Sequence, residues 1–128
     1  MIKGQFIAVG LAGLLLTGPG LPSPAGADEP LTIEVTIKDH QFSPAEIHVP
    51  AGQPVILRIT NTDPTVEEFD SSALKVEKVI VGGHYATVRL RPLGTGRYPF
   101  MGEYHEETAK GVVISEPAAA VPDQSHGK

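Results

Sequence analysis

The chain of 128 residues contains no cysteine and no tryptophan, and only 5% of its residues are aromatic. Without cysteine it can form no disulfide and can offer no thiolate to a metal, so all thiolate chemistry is excluded. Its core must therefore be aliphatic, with a few Phe and Tyr. Lys and Arg are fewer than Asp and Glu, 10 against 15, and the formal net charge is −5. This charge argues against a nucleic-acid or anionic-membrane partner.

Long apolar runs are also missing, apart from one at the N-terminus between Phe6 and Thr17. About twelve apolar residues fall short of the roughly twenty that a membrane-spanning helix needs. Lys3 precedes this run and several prolines follow it. The whole N-terminal segment ends in small residues just before Asp28. These features are typical of a secretory signal peptide over residues 1–27, cleaved near Ala27, and they predict a periplasmic protein; a membrane anchor is the alternative.

The rest of the chain predicts one domain, since about 101 residues are too few for two. We expect this domain to span residues 28–115, with no membrane span and in a monomer or weak dimer. Residues 116–128 are rich in Pro, Ala and polar residues, which predicts a disordered tail.

Short segments of alternating polarity dominate the predicted domain. In LTIEVTIK, Leu31–Lys38, every second residue is apolar, as in a half-buried strand, and QPVILRITN repeats the pattern. The acidic segment at residues 61–72 is predicted to be a loop. Six or seven such strands, separated by Gly and Pro, predict an all-β sandwich or a small barrel.

Metal-capable side chains are concentrated in GRYPFMGEYHEETAKGVVI, Gly96–Ile114, between the last two predicted strands. They are Met101, Glu103, His105, Glu106 and Glu107. If the segment stays extended, the first three share a face because alternate residues do. A thioether, a carboxylate and an imidazole together suit copper or iron, whereas the alternative is an exposed acidic loop with one surface His.

A second group of candidate ligands is Glu67, Glu68 and Asp70, in the predicted loop. The apolar Val66 and Phe69, which adjoin these acids, should anchor inward and orient them, although consecutive carboxylates can also be merely solvated. Two such loops at one end of a sandwich would form a site on a rigid scaffold. Three other histidines, His40, His48 and His84, are assigned structural or surface roles, and His126 in the tail could bind metal only nonspecifically. No serine has the surroundings of a catalytic nucleophile.

The order of FSPAEIHVPAGQPVILRITNTD, GRYPFMGEYH and GVVI resembles the cupredoxins over about residues 31–115. The resemblance implies a cupredoxin-like Greek-key β-sandwich of six to eight strands. The blue-copper ligands of that family, His, Cys, His and Met, correspond here to Glu67, Gly102, His105 and a position near Ala109 or Lys110. Only His105 is retained, so a type 1 blue-copper centre is not expected.

The strings NTDPTVEEFDS and FMGEYHEETAKG are similar to the EfeO-type cupredoxin domains of bacterial periplasmic iron uptake, and to their stand-alone relatives. This resemblance implies binding of copper and/or iron, and oxidation of ferrous iron or its delivery to an iron permease. The implied ligands are Glu67, Met101, Glu103 and His105, with Glu68, Asp70, Glu106 and Glu107 as weaker candidates. Two alternatives stay open: an autonomous ferroxidase, and an interaction module without metal.

Overall fold

The computed structural model describes residues 29–120, together with Gly4 and Gly13. The predicted signal peptide therefore lies outside the described residues, apart from those two glycines, and remains a prediction. Among the residues that are described, no helix is long and apolar enough to cross a membrane. The domain consists of nine strands: β1 (Leu31–Lys38), β2 (Gln41–Ser43), β3 (Glu46–Pro50), β4 (Val55–Asn61), β5 (Glu67–Ser71), β6 (Val76–Ile80), β7 (Tyr85–Leu90), β8 (Gly96–Gly102) and β9 (Lys110–Glu116).

The strands form two mixed sheets. One has the order β2-β1-β4-β7 and the other the order β3-β9-β8-β5-β6. Two pairs are parallel, β1 with β4 and β3 with β9, and the remaining pairs are antiparallel. The predicted all-β sandwich is confirmed, with nine strands in place of the expected six to eight because the chain forms short strands such as β2.

The core lies between the two sheets and follows from the alternation in the sequence. Ile33 in β1 is opposite Leu57 in β4. Three of the four apolar residues of the β1 pattern are buried and Leu31 is half-buried, while β4 buries Val55, Leu57 and Ile59. With no tryptophan in the chain, three phenylalanines pack together: the rings of Phe69 and Phe100 stack at 4.8 Å, and Phe42 meets both edge-on. Phe69 is directly opposite Gly102 in the sheet, so this aromatic cluster supports the end of β8.

Part of the predicted acidic loop at residues 61–72 is a strand. β5 pairs with β6 on one side and with β8 on the other, and Glu67, Phe69 and Ser71 all face inward. The loop prediction was wrong because two of these inward residues are polar, which hides the alternation; both are hydrogen-bonded in the interior. At the C-terminal side β9 continues to Glu116, and a short 3-10 turn, Ala118–Ala120, follows.

Candidate functional site

Glu67 is the first residue of β5, and the inward direction of alternate residues leaves only 1% of it exposed. Its Oε1 accepts the backbone N–H of Glu68 at 3.0 Å and that of Tyr104 at 3.1 Å. Its Oε2 lies 2.5 Å from Nδ1 of His105. Both oxygens therefore have partners, and two of the three bonds go to the 3-10 turn Glu103–His105 that follows β8.

Gly102, the last residue of β8, makes room for this carboxylate. A Cβ at position 102 would lie 2.7 Å from Cδ of Glu67 and 2.6 Å from Cβ of Ala109. The Gly102 N–H also donates to the Ala109 carbonyl at 2.7 Å. Glu67, Gly102, His105 and Ala109 are positions at which the resemblance placed the copper ligands, and they lie together at one end of the sandwich.

His40 joins this group from the opposite sheet. Its ring stacks on that of His105 with a centroid distance of 3.5 Å and an angle of 13° between the planes. It occupies a two-residue turn between β1 and β2 in which both Asp39 and His40 have positive φ, 51° and 57°, as in a type I′ hairpin. The structural or surface role assigned to His40 from the sequence missed this position, because no local motif links the β1–β2 turn to the end of β8.

Asp63 and Thr108 hold the β1–β2 turn against the site. The carboxylate of Asp63 accepts the backbone N–H of Asp39 at 2.8 Å and that of His40 at 2.9 Å. The bond from the His40 N–H is the main reason that the pKa of Asp63 is lowered. From the loop after His105, Thr108 Oγ1 donates to the His40 carbonyl at 2.8 Å. The backbone at His40 is thus tied to both sides of the site.

Met101 and Glu103 do not join Glu67 and His105. Met101 is on the other face of β8 from Gly102, is 38% exposed and lies opposite Asp70. The pKa of Glu103 is raised, chiefly by the negative charge of Glu68. The expected extended conformation ends at Gly102 and is replaced by the 3-10 turn, so Met101, Glu103 and His105 share no common face.

The remaining weaker candidates form two groups. Glu68 and Asp70 alternate with the inward residues of β5, so they lie on the outer face of the sheet beside Met101 and Glu103. The hydroxyl of Tyr104 is hydrogen-bonded to Glu68, and this bond is the main reason that the pKa of Tyr104 is raised. Glu106 and Glu107, by contrast, line a surface cleft beside His40 and His105. The cleft is formed by His40, Tyr104, His105, Glu106, Glu107 and Thr108.

Comparison with protein families identifies the fold group. Residues 6–115 match the family described as a cupredoxin-like domain. The chain belongs to this cupredoxin-like family. The resemblance to cupredoxins is therefore confirmed, whereas the EfeO-type iron-transport subtype stays a prediction.

The chain is also similar to an individual sequence relative and to solved structures. An uncharacterized protein of Rickettsia prowazekii (strain Madrid E) is 39% identical over 87 residues, which is 68% of this chain and 70% of that protein. Auracyanin A, a blue copper protein of Chloroflexus aurantiacus, superposes with a TM-score of 0.60 at 18% identity, over 69% of this chain and 100% of its own. The metal-binding domain of the Cu(I)-exporting ATPase CopA of Streptococcus pneumoniae D39, with Cu(I), superposes with a TM-score of 0.59 at 17% identity. The superposition covers 71% of this chain and 99% of that domain. At these identities the two structures show the fold alone.

A blue-copper ion does not fit this cupredoxin-like domain. The ligand position at Gly102 carries no sulfur, and the space that a side chain would need there is filled by the Glu67 carboxylate. Within residues 29–120, no group of three His, Asp or Glu side chains is arranged to hold a metal. Two donors do converge, Glu67 Oε2 and His105 Nδ1, beside the cleft. A carboxylate and an imidazole can hold a cation whose other ligands are exchangeable.

A second carboxylate–imidazole pair provides an internal comparison. His48 Nδ1 on β3 lies 2.9 Å from Glu116 Oε1 on β9. The Glu116 side chain is 26% exposed, whereas that of Glu67 is 2% exposed. The same two chemical groups therefore occur twice with equally exposed imidazoles, once with a buried carboxylate at the family's ligand positions and once with a partly exposed carboxylate away from them.

Proposed function

We propose that this cupredoxin-like protein is exported to the periplasm, where it binds copper and/or iron as exchangeable cargo and assists the oxidation of ferrous iron or its delivery to an iron permease. The proposal rests mainly on one observation. Glu67 and His105, at the two histidine positions of the family's copper site, direct Oε2 and Nδ1 at each other. A cation that replaces the shared proton would meet both donors at once.

The chemistry of the pair favours oxidised or hard cations. A carboxylate stabilises Fe(III) over Fe(II), whereas a thiolate and a thioether would favour Cu(I). Two protein donors also leave coordination positions free for water or for a receiving protein, which suits a carrier. The carboxylates of Glu68, Asp70 and Glu103 on the outer face add negative potential close by, and such potential concentrates cations.

Calorimetric titration of the protein from Asp28 onward, with Cu(II) in air and with Fe(II) under anaerobic conditions, tests the binding step. We expect Glu67→Gln and His105→Ala to weaken binding at least about tenfold, as expected for the loss of a metal-site group. Glu116→Gln and His48→Ala are the matched controls and should bind as the wild type does. Far-UV circular dichroism of each variant checks that it is folded. The proposal fails if the wild type binds neither ion, or if the site variants bind unchanged.

Uptake of radioactive iron tests the pathway. Cells that lack the gene should take up less iron, and the wild-type gene and the Glu116→Gln control should restore uptake where Glu67→Gln does not. Oxygen consumption with Fe(II), with and without copper, then separates the accessory role from an autonomous ferroxidase. An accessory protein shows no copper-dependent rate on its own.

A metal-free interaction module is the second candidate, and one specific observation favours it. Among the described residues every buried side-chain nitrogen or oxygen has a hydrogen-bond partner, including both oxygens of Glu67. The site is thus satisfied without an ion. This candidate predicts that protein purified natively contains no copper or iron by elemental analysis, and that a chelator leaves its thermal midpoint unchanged.

A further inference from the structure

We propose that the outer face of the sheet at β5, β6 and the end of β8 is a docking surface for a protein that presents Lys and Arg around an apolar centre. The proposal goes beyond the proposed function because it needs no bound ion. It concerns the side of β5 that is opposite to the buried Glu67. We call this surface the outer acidic face, after its four carboxylates, Glu68, Asp70, Glu77 and Glu103.

The strand register places these acids together. Asp70 lies between Glu77 of β6 and Met101 of β8, in one row across the sheet, and Glu68 is two residues along the same strand. The pKa of Glu103, in the turn after β8, is raised first by the charge of Glu68 and further by the charges of Asp70 and Glu77. The four carboxylates are therefore close enough to repel one another.

No cation of the protein neutralises them. Within residues 29–120 the ion pairs are that of Arg58 with Glu34 and three between His and Glu, and none includes an acid of the outer acidic face. Lys75 and Lys110 adjoin the face, but neither forms an ion pair there. Cations on a partner would relieve this repulsion, and complementary charge of this kind guides proteins into contact.

Exposed apolar side chains are concentrated in the same place. Of the six large apolar side chains that the described residues expose, five lie on the outer acidic face or next to it: Val66, Val79, Val81, Met101 and Tyr104. Val79 is opposite Glu68 in the sheet, and the Tyr104 hydroxyl is hydrogen-bonded to Glu68. Scattered exposed apolar residues are ordinary, whereas a group of them rimmed by charges is typical of a protein interface.

The distribution of charge argues against a second copy of this chain as the partner. A two-fold contact of the outer acidic face with itself would bring acids against acids. The other sheet presents Arg58 and Arg89 on its outer side, but Arg58 already contacts Glu34 and lies 4.2 Å above the ring of Tyr85. Tyr85 is the sixth exposed apolar side chain, and it stands alone on that side. A different protein with free cations and apolar residues fits better.

Fluorescence anisotropy with two labelled synthetic peptides tests the chemistry of recognition. One peptide repeats Lys-Lys-Leu-Leu, and the other has Ser in place of each Leu. We expect the wild type to bind the Leu peptide at least about threefold more tightly, and both peptides more weakly at high salt. Glu68→Gln with Asp70→Asn should weaken binding of both peptides at least about threefold, whereas Val79→Ser with Met101→Ser should weaken only the Leu peptide.

Matched controls remove the same groups elsewhere. Glu34→Gln with Glu46→Gln deletes two charges away from the outer acidic face, and Tyr85→Ser deletes the exposed apolar side chain of the other sheet. Both controls should bind as the wild type does. An equal loss in the charge control would show that only net charge matters, and equal binding of the two peptides would show that the apolar residues play no part. Either result overturns the proposal.

Photo-crosslinking in the cells that make the protein tests for the partner itself. A photoreactive residue at position 79 or 101 should capture the same protein, and one at Thr87, on the outer side of β7, should not. The capture should be lost when Glu68→Gln and Asp70→Asn are added. Crosslinks to further copies of this chain alone, or equal capture from position 87, would overturn the proposal.

Discussion

The carboxylate of Glu67 occupies the space that a side chain at position 102 would need, since a Cβ on Gly102 would lie 2.8 Å from Oε1 and 2.7 Å from Cδ of Glu67. The resemblance to the cupredoxins places His at the first position and Cys at the second. Glu67 and Gly102 therefore form a compatible pair: the longer, buried acid requires that its neighbour have no side chain. A side chain at position 102 would also meet the Cβ of Ala109 at 2.6 Å, so the packing at this position agrees with the lack of a thiolate ligand.

Gly102→Ala should destabilise the protein by about 1–3 kcal/mol, because the added methyl group overpacks a closed interior. Urea denaturation of the protein from Asp28 measures the change. Gly94→Ala is the matched control, since a Cβ there has Tyr98 Oη at 4.0 Å as its nearest neighbour, and its stability should be almost unchanged.

The same pair of positions allows a double-mutant cycle. If the Glu67 carboxylate causes part of the stability loss in Gly102→Ala, the same substitution should lower the unfolding free energy less in a Glu67→Ala background. The contact with Ala109 accounts for the loss that remains. Strictly additive effects would show that the carboxylate and the space at Gly102 are not coupled.

Glu67→Ala should cost about 1–3 kcal/mol of unfolding free energy, the range for leaving buried hydrogen-bond donors without their acceptor, because the N–H groups of Glu68 and Tyr104 and the ring of His105 lose their partner. Glu67→Gln should cost less, since its carbonyl oxygen can still accept the N–H groups of Glu68 and Tyr104. Chemical denaturation in the presence of a chelator measures both. Glu116→Gln, in the partly exposed pair with His48, should change stability by less than about 1 kcal/mol. Equal effects at the two pairs would contradict the structural role of Glu67.

Asp63→Asn should make the protein less stable in a pH-dependent way. The pKa of Asp63 is lowered from its ordinary value of 3.8, mainly by the His40 N–H, so the ionised form is favoured in the folded state. Its stabilisation is complete well above pH 3.8 and is lost as the pH falls through the lower folded value. The difference in stability between wild type and variant should thus be largest near neutral pH, about 2 kcal/mol for bonds to a charged acceptor, and should shrink below about pH 4.

Thermal unfolding at a series of pH values checks this prediction. Asp39→Asn is the control, because Asp39 is exposed and Asn tolerates its positive φ. A difference between Asp63→Asn and wild type that does not vary with pH would show that the carboxylate charge is not what holds the β1–β2 turn.

Glu68→Gln should lower the pKa of Glu103 towards its ordinary value. The negative charge of Glu68 is the largest cause of the raised pKa, and the variant removes it. The pKa of Tyr104 should also fall, because its hydrogen bond to the Glu68 carboxylate is the largest cause of its own shift. Carbon-13 NMR titration of the carboxyl and tyrosine signals measures both. Glu34→Gln, on β1 in the other sheet, is the control and should shift neither pKa. If the pKa of Glu103 does not change in Glu68→Gln, the acids of the outer face do not interact.

Much of the fold could be predicted from short-range patterns. The alternation in β1 and β4 identifies buried faces with a period of two, and a sheet with one such apolar face must cover it with a second layer. The absence of cysteine likewise excludes a thiolate centre without any structure. The inward direction of Glu67 follows from its spacing to Phe69, although the acidic composition around it is that of a loop.

The sequence by itself thus determined the all-β sandwich, the lack of a blue-copper ligand set and the positions of Glu67 and His105 as candidates. The tertiary structure alone decided that these two meet, that Met101 and Glu103 lie on the outer face, and that His40 stacks on His105. The reason is physical. Alternation along a strand is set by neighbouring residues, whereas the end of β8 in a 3-10 turn and the approach of the β1–β2 turn depend on how two sheets pack, and no local pattern encodes that packing.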